Sequence, residues 1–504
     1  MIGRKSFLVY FNQIFGAVTG LIGMFFIARF MTNPAYNYGM ITFALSFAGL
    51  FSFMGSIFNS AHVKRISEGR DEGTCMGTFI TLKTISLTVM LASAYGGILI
   101  WKHVMGRGFQ SPAHESVLYI ILILAAIKTM TSIGTNTFQG KGEIAKMEIV
   151  KFMDHNVPFV FIILVSLTGG QAVQLAYAYF TGGLLMALAA IHFLKPIPIK
   201  KPDWGLARSY WQFGLPSLFI SISSLLGKKV DVVMVQLFWS SVNVGYYGVS
   251  LRFSALLIGI SSAVVTIAFP TISGHHARSD WESIRKLITN SSRYLSMVVI
   301  PVISFIVIFP EQTIIILLSR DFIPAVPVVR IMAINAFFLV ITGPNRTVFS
   351  GINMPGLGAK LVILSNVINF ALNVLLIPSS IFGVPFMGLK EVGAALATLT
   401  ASVILFFLTI HYSKKVAGTT LYPKITIHIL SGLITSAVFF FIENNLIQIT
   451  RYYHLGIFSM AFLGFYTLVL YLLGEFTKKD WDFIWSSIHP GEMLGYVKDE
   501  VGKN

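Results

Sequence analysis

Charge is scarce in this chain of 504 residues: Asp, Glu, Lys and Arg make up 12% of it, where an ordinary soluble domain carries about 25%. With 55% hydrophobic residues and a mean hydropathy of +0.75, a water-soluble fold would leave large apolar areas facing solvent. That excludes a soluble enzyme, a disordered protein and a soluble nucleic-acid binder. Cysteine is nearly absent, and Cys75 alone cannot build an internal disulfide or a cysteine-based metal cluster. Acids are the scarcer charge, 21 against 37 Lys and Arg, for a net +16. In a soluble protein that excess would suggest nucleic acid. Here the bases sit in short gaps between apolar runs, so they read as topological charge and no nucleic-acid partner is expected.

Several chemistries are missing as well. No GxxxxGK[ST] loop is present, and the nearest string, GKGEIAK, lacks the spacing, so ATP bound by this chain is not the energy source. His114-Glu115 is followed by Leu118 where a zinc peptidase needs histidine. His275-His276 reads as a solvated loop pair. The acids of Asp480-Trp481-Asp482 could hold a metal, but DWDFIWSSI reads better as an amphipathic tail on a membrane surface. No metal, cofactor or catalytic residue is expected.

What is present is a series of long apolar runs. About fourteen reach the ~20 residues that a spanning helix needs. They lie near 7–31, 38–61, 76–101, 116–138, 147–168, 171–194, 215–239, 244–270, 290–310, 324–350, 358–378, 390–412, 424–443 and 454–474. The start, MIGRKSFLVYF, is basic and then apolar without a small-residue cleavage site, so it reads as a retained first helix. The expected fold class is all-α, a polytopic membrane protein. With the N-terminus in the cytoplasm, the cytoplasmic ends gather most of the bases, among them Lys64, Arg65, Lys141, Lys200, Lys201, Lys286, Lys414 and Lys415. The other side holds only Arg29, Lys102, Arg107, Arg320, Arg330, Lys390 and Arg451. Both termini are therefore expected in the cytoplasm of a cell (cytoplasmic) membrane protein.

The chain also carries an internal echo. Tyr38-Gly39 in RFMTNPAYNYGM answers Tyr247-Gly248 in LFWSSVNVGYYGV at an offset of 209. Phe138 and Gly140 in NTFQGKGEIAK answer Phe349 and Gly351 in TVFSGINMPGLGAK at an offset of 211. The polar, proline-rich KPIPIKKPDW falls between the copies. The predicted organisation is an N-terminal lobe (1–195, six helices), a cytoplasmic linker (196–205), a C-terminal lobe (206–415), two further helices (416–476) and a tail (477–504). Six helices per copy is even, so both copies insert with the same orientation, as parallel lobes suited to alternating access.

The bases left at membrane depth are Lys128, Lys228, Lys229 and Arg252. Each costs at least about 2.5–3.5 kcal/mol at mid-bilayer, so it is kept only when paired or facing water. Lys228 and Asp231, three apart on a helix, can pair, while Lys229 points about 100° away. Only Asp231 and Asp154 oppose the four bases. The surplus calls for a bulky or amphipathic anion, a phosphate or pyrophosphate headgroup; the bland alternative is snorkelling or structural pairing. Asn12 and Gln13 early in the first helix are candidate cavity-lining polar residues. Gly16-x-x-x-Gly20 reads as close helix packing. Asn366, Asn369 and Asn373 share one face and either line a sugar path or bond to neighbouring helices.

These residues resemble a family. The Tyr-Gly opening of helix 2, the string KKVDVVMVQLF followed by VGYYGVSLRFSALL, and the FQGKGEIAK and FSGINMPGLGAK junctions look like polysaccharide-biosynthesis membrane proteins. That is the oligosaccharide flippase (Wzx-type) branch of the multidrug/oligosaccharidyl-lipid/polysaccharide exporter superfamily. The resemblance spans roughly residues 1–475. It implies a flippase, not an enzyme, that moves a polyprenyl-(pyro)phosphate-linked oligosaccharide to the outer leaflet, among membrane lipids and alongside glycan-assembly enzymes. It also implies substrate-binding roles for Lys128, Lys228, Lys229 and Arg252, and pairing or coupling roles for Asp231 and Asp154. Helix 1 lacks the mid-span arginine of peptidoglycan-precursor flippases and the carboxylate of many drug exporters. The alternatives are a cation-coupled multidrug antiporter of the same fold, which predicts an acidic, aromatic cavity, and a membrane glycan-processing enzyme, which usually needs a larger outer loop.

Overall fold

The structure is a computed structural model that describes residues 2–104, 109–478 and 480, with side chains outside 2–11, 14, 104, 215–228 and 263. The predicted tail beyond 480 lies outside the described residues, as does the side chain of Lys228. Among the described residues sixteen α-helices run in chain order: α1 Ile2–Phe30, α2 Pro34–Ser56, α3 Asn59–Ser67, α4 Glu72–Leu99, α5 Pro112–Lys141, α6 Ile144–Leu167, α7 Ala172–Leu194 and α8 Trp204–Phe238. Then follow α9 Ser241–Ala277, α10 Trp281–Ile308, α11 Pro310–Leu317, α12 Val326–Gly351, α13 Pro355–Leu376, α14 Lys390–Ala417, α15 Ile425–Asn445 and α16 Tyr452–Leu472. The described strands form one small hairpin, Ser380–Ile381 with Val384–Pro385.

The all-α, polytopic fold expected from the sequence is present. Among the described residues twelve helices are long and apolar enough to cross a membrane, and α1 adds only the shorter apolar stretch Phe15–Phe30. The predicted number near fourteen is therefore not fixed by length and composition. Outward faces carry large exposed apolar side chains, such as Leu164, Leu188, Ile191, Phe441 and Leu472. Water would not tolerate such a surface, whereas lipid does.

Local chemistry sets the helix ends. Asp71, Ser111, Asp203 and Asp280 accept backbone N–H groups in the first turns of α4, α5, α8 and α10. Pro158, inside α6, is accommodated because Gly182 of α7 leaves room: a Cβ there would lie 2.4 Å from the proline ring. Gly39 of α2 serves the same purpose, since an added Cβ would meet the Ser241 carbonyl at 1.7 Å.

The chain divides into two compact units, residues 1–245 and 246–504. The first therefore continues through the KPIPIKKPDW segment and α8. Its core at the basic end joins Phe58, Met76, Phe79, Phe138 and Tyr210. The second has an aromatic core of Phe305, Phe309, Phe439, Phe458 and Phe462.

The echo in the sequence has a structural form. Asp71 and Asp280, 209 apart, both cap a helix by accepting the N–H of the third residue on, Thr74 and Ser283. Phe138 and Phe349 are both fully buried, and each offers its carbonyl to the N–H five residues later, at 2.8 and 2.7 Å. That bond closes a left-handed cap, which falls on Gly142 after α5 and on Asn353 after α12. The matching positions thus end matching helices.

Candidate functional site

A cavity of about 690 Å³ lies within the first unit, among α2, α4, α5 and α8. Among the described residues its charged lining consists of Lys83, Lys128 and Lys229, with no Asp or Glu. Ser52, Ser56, Thr129 and Ser132 add hydroxyls beside them. The volume is that of a small-molecule site, and the donor set is that of an anion site.

Lys83 is the deepest of the three, 1% exposed. It lies eleven residues into α4, about 16 Å along the helix. Its ammonium donates to the carbonyl of Gly55 and, at 2.6 Å, to Ser132 Oγ. Gly55 sits in the last turn of α2, where carbonyls lose their helical partners. The Phe79 ring lies 5.4 Å from the ammonium. Every described partner of Lys83 is neutral, so the protein stabilises the cation only in part.

Lys128, from the middle of α5, is 38% exposed at its side chain and pairs with Asp154 of α6 at 2.8 Å. Lys229 lays its stem against Gly49 of α2, where an added Cβ would come within 3.3 Å of Lys229 Cε. The structure thus brings Lys128 and Lys229 into one cavity and adds Lys83 to them. Sequence reasoning passed over Lys83 because the predicted segment began at 76, which put it near a helix end. The helix actually begins at Glu72, so Lys83 lies a further turn inside.

The other predicted residues are placed as follows. Asp231 is buried in α8, and Arg252 stands on α9 in the second unit with an exposed side chain. Asn12 is buried against α6, its amide donating to Glu148 Oε2 at 2.9 Å, while Asn156 donates to Asn12 Oδ1 at 3.4 Å. Thr19 extends this network to Asn156, so Asn12 ties α1 to α6; Gln13 is exposed. Asn369 and Asn373 are buried, with Asn373 donating to Asn369 and Asn369 to Thr398 of α14, and Asn366 is half-buried. Asn12 thus joins α1 to α6 and Asn369 joins α13 to α14, while Asn373 bonds within α13.

The second unit holds a different polar cluster. Arg293 of α10 clasps Asp480 with two hydrogen bonds of 2.7 and 2.8 Å, and Tyr294 donates to the same carboxylate at 3.2 Å. Beside it Glu475 accepts from Tyr422 at 2.6 Å and pairs with Lys424 at 2.8 Å. Burial alone would raise both carboxyls, but the bonds from Arg293 and Thr477 hold Asp480 at about 2, and those from Lys424 and Tyr422 hold Glu475 below its ordinary value. Here each described charge has an opposite, and the cluster pins the end of α16 to α10 and α15. Asp480 is thereby committed to an arginine. Among the described residues no group of His, Cys, Asp or Glu is placed to hold a metal.

Residues 26–327 match the family described as polysaccharide biosynthesis protein. The chain belongs to that family. Its members include membrane proteins of the multidrug/oligosaccharidyl-lipid/polysaccharide exporter superfamily, as the sequence resemblance implied. A relative from Haloferax volcanii, described as probable low-salt glycan biosynthesis flippase Agl15, is 27% identical over 89% of this chain and 92% of its own. Among solved structures, the lipid II flippase MurJ in an inward closed conformation superposes with a TM-score of 0.73, covering 92% of this chain and 99% of that one at 13% identity. An inward-facing multidrug resistance MATE family transporter superposes with a TM-score of 0.58, covering 80% and 99% at 14% identity. At such identities these structures speak for the fold, and this family member shares that fold with both a flippase and a drug transporter.

Proposed function

We propose that this polysaccharide-biosynthesis protein is a flippase that carries a polyprenyl-(pyro)phosphate-linked oligosaccharide from the cytoplasmic to the outer leaflet by alternating access. The observation that carries the reading is the acid-free cavity with Lys83, Lys128 and Lys229 on its walls. A buried cation met only by neutral oxygens gains most from a ligand that brings its own negative charge. A cation exporter would need acids where this cavity has lysines, so the antiporter alternative loses its chemistry while keeping its fold.

In this reading Lys83 and Lys128 of the first lobe and Lys229 of the second hold the phosphate, with Lys228 and Arg252 adding charge along its path. Asp154 and Asp231 moderate that charge. The lobes are the repeated blocks 1–195 and 206–415, joined by the linker 196–205, with the helices in 416–476 added outside the duplication. The distribution of bases supports cytoplasmic termini in a cell membrane. The protein transports its substrate unchanged, beside the enzymes that build and polymerise the glycan. The Haloferax relative, a glycan biosynthesis flippase by description, supports the substrate class.

The test is export of surface glycan in a host lacking its own flippase. Replacing Lys128, Lys229 and Arg252 together by alanine should abolish export at normal protein level in the membrane. Full export by that variant would overturn the cationic site.

A further inference from the structure

The lysine cavity has a neighbour across a thin wall. On the other side of the α2 end and of α4 lies an open groove of about 530 Å³. The wall is shared residue by residue. Gly55, Ser56 and Lys83 face the cavity, while Met54, Ile57 and Leu82 face the groove. The wall contains the turn between α2 and α3, and α8 presses on it closely: a Cβ on Gly214 would lie 2.8 Å from the Ile57 carbonyl oxygen. Lys83, by holding the Gly55 carbonyl, braces the same turn from the cavity side.

The groove is amphipathic along its length. Its floor runs along α4 through Leu82, Ile85 and Val89, about 10 Å of helix, and is apolar apart from Ser86. Its mouth is formed by the first turns of α8, where Trp204, Arg208 and Trp211 recur at i, i+4 and i+7 and so share one face. Trp204 is 69% exposed, and the Trp211 ring meets Phe58 edge-on at 4.9 Å. Indoles at that level are the side chains of a membrane–water interface. The guanidinium between them has no carboxylate partner among the described residues, and its planar fork suits a phosphate. One cation at an interface, two indoles and a single apolar channel leading inward complement one anionic lipid with one chain. A glycerophospholipid would have two chains to seat.

We propose that this groove is the loading station for a polyprenyl phosphate: Arg208 takes the phosphate at the cytoplasmic interface, and the first isoprene units lie along α4 between Ile85 and Trp211. The headgroup then crosses the α2–α3 turn to the lysines. The assignment rests on the flippase reading above and locates the place where the carrier enters.

The test uses the full-length chain in nanodiscs of phosphatidylcholine and a diazirine-bearing farnesyl phosphate as probe. On illumination, label should map to peptides containing Ile85, Val89 and Trp211. Excess unlabelled polyprenyl phosphate should remove that label about tenfold more effectively than excess phosphatidylglycerol does. Val89→Trp, which fills the floor from a lipid-exposed position, should abolish it, and Arg208→Glu should lower it about tenfold. Label spread evenly over lipid-facing positions such as Leu164 and Leu188, or equal competition by phosphatidylglycerol, would show an ordinary lipid coat and overturn the proposal. Saturable label near Lys128 that is indifferent to Arg208→Glu would overturn the groove and leave the flippase reading standing. The absence of saturable label anywhere, with no change on replacing the lysines, would overturn both.

Discussion

In the second unit Arg293 meets Asp480 and Lys424 meets Glu475; in the first, Lys83 meets a backbone carbonyl and a serine. The contrast is sharper because the units share a framework. Aligning α4 with α10 through their capping aspartates, Asp71 and Asp280, puts Ser292 where Lys83 stands. Aligning α5 with α12 through Phe138 and Phe349 puts Leu339 where Lys128 stands. The repeat therefore sets where helices begin and end, not what they carry inside. A cation clasped by its own carboxylate is spent on holding the fold together. A cation surrounded by neutral oxygens beside an open cavity remains able to gain from a ligand.

The most forceful way to break this comparison is Lys83→Met. In a reconstituted flipping assay it should lower the transport rate by about two orders of magnitude, the scale on which loss of one buried charged partner weakens binding. Its thermal midpoint should fall little, since removing an unmatched buried cation also removes a desolvation cost. A variant that transports at the wild-type rate would make Lys83 as structural as Arg293. The complementary change, Arg293→Ala, should act the other way. It should destabilise the detergent-solubilised protein by about 3 kcal/mol, because Asp480 is left buried without its arginine, and any transport defect should follow stability.

Acid sharpens the same distinction. Asp480 is held at about 2 in the folded chain against an ordinary 3.8. A depressed carboxyl stabilises the fold above its ordinary value and loses that contribution as pH falls through its folded value. The anchoring of the α16 end should thus be intact from neutrality down to about pH 4 and disappear between about 4 and 2. Limited proteolysis after α16 across that range should show the loss, and Asp480→Asn should be susceptible throughout. The smallest effect belongs to Asp154→Asn. Lys128 is 38% exposed, so its pair is worth no more than about 1 kcal/mol, and transport should change by less than about fivefold. A complete block would show that Asp154 acts in coupling as well as in pairing.

Much of this molecule was legible before any coordinates. The apolar runs located the long helices, and the match of Phe138 with Phe349 marked two helix ends with the same cap. Lys128 and Lys229 were identified because a charge inside an apolar run is conspicuous. Lys83 was missed because a four-residue error in one helix start places a residue at the membrane surface rather than inside. The asparagines were ambiguous for a different reason. Asn12 and Asn369 have the same sequence signature whether they face water or another helix, and only their partners, Glu148 of α6 and Thr398 of α14, distinguish the two.

By itself the sequence determined that this is an all-helical membrane protein with an excess of basic residues inside its apolar runs. Those properties are sums over neighbouring residues, and hydropathy along some twenty positions is fixed by covalent order alone. Tertiary structure alone decided which cations are neutralised. An ion pair or a cavity forms from helices distant in the chain, as when α2, α4, α5 and α8 enclose the lysines or α10 meets Asp480. Electrostatic energy depends on separation in space, which covalent order does not record.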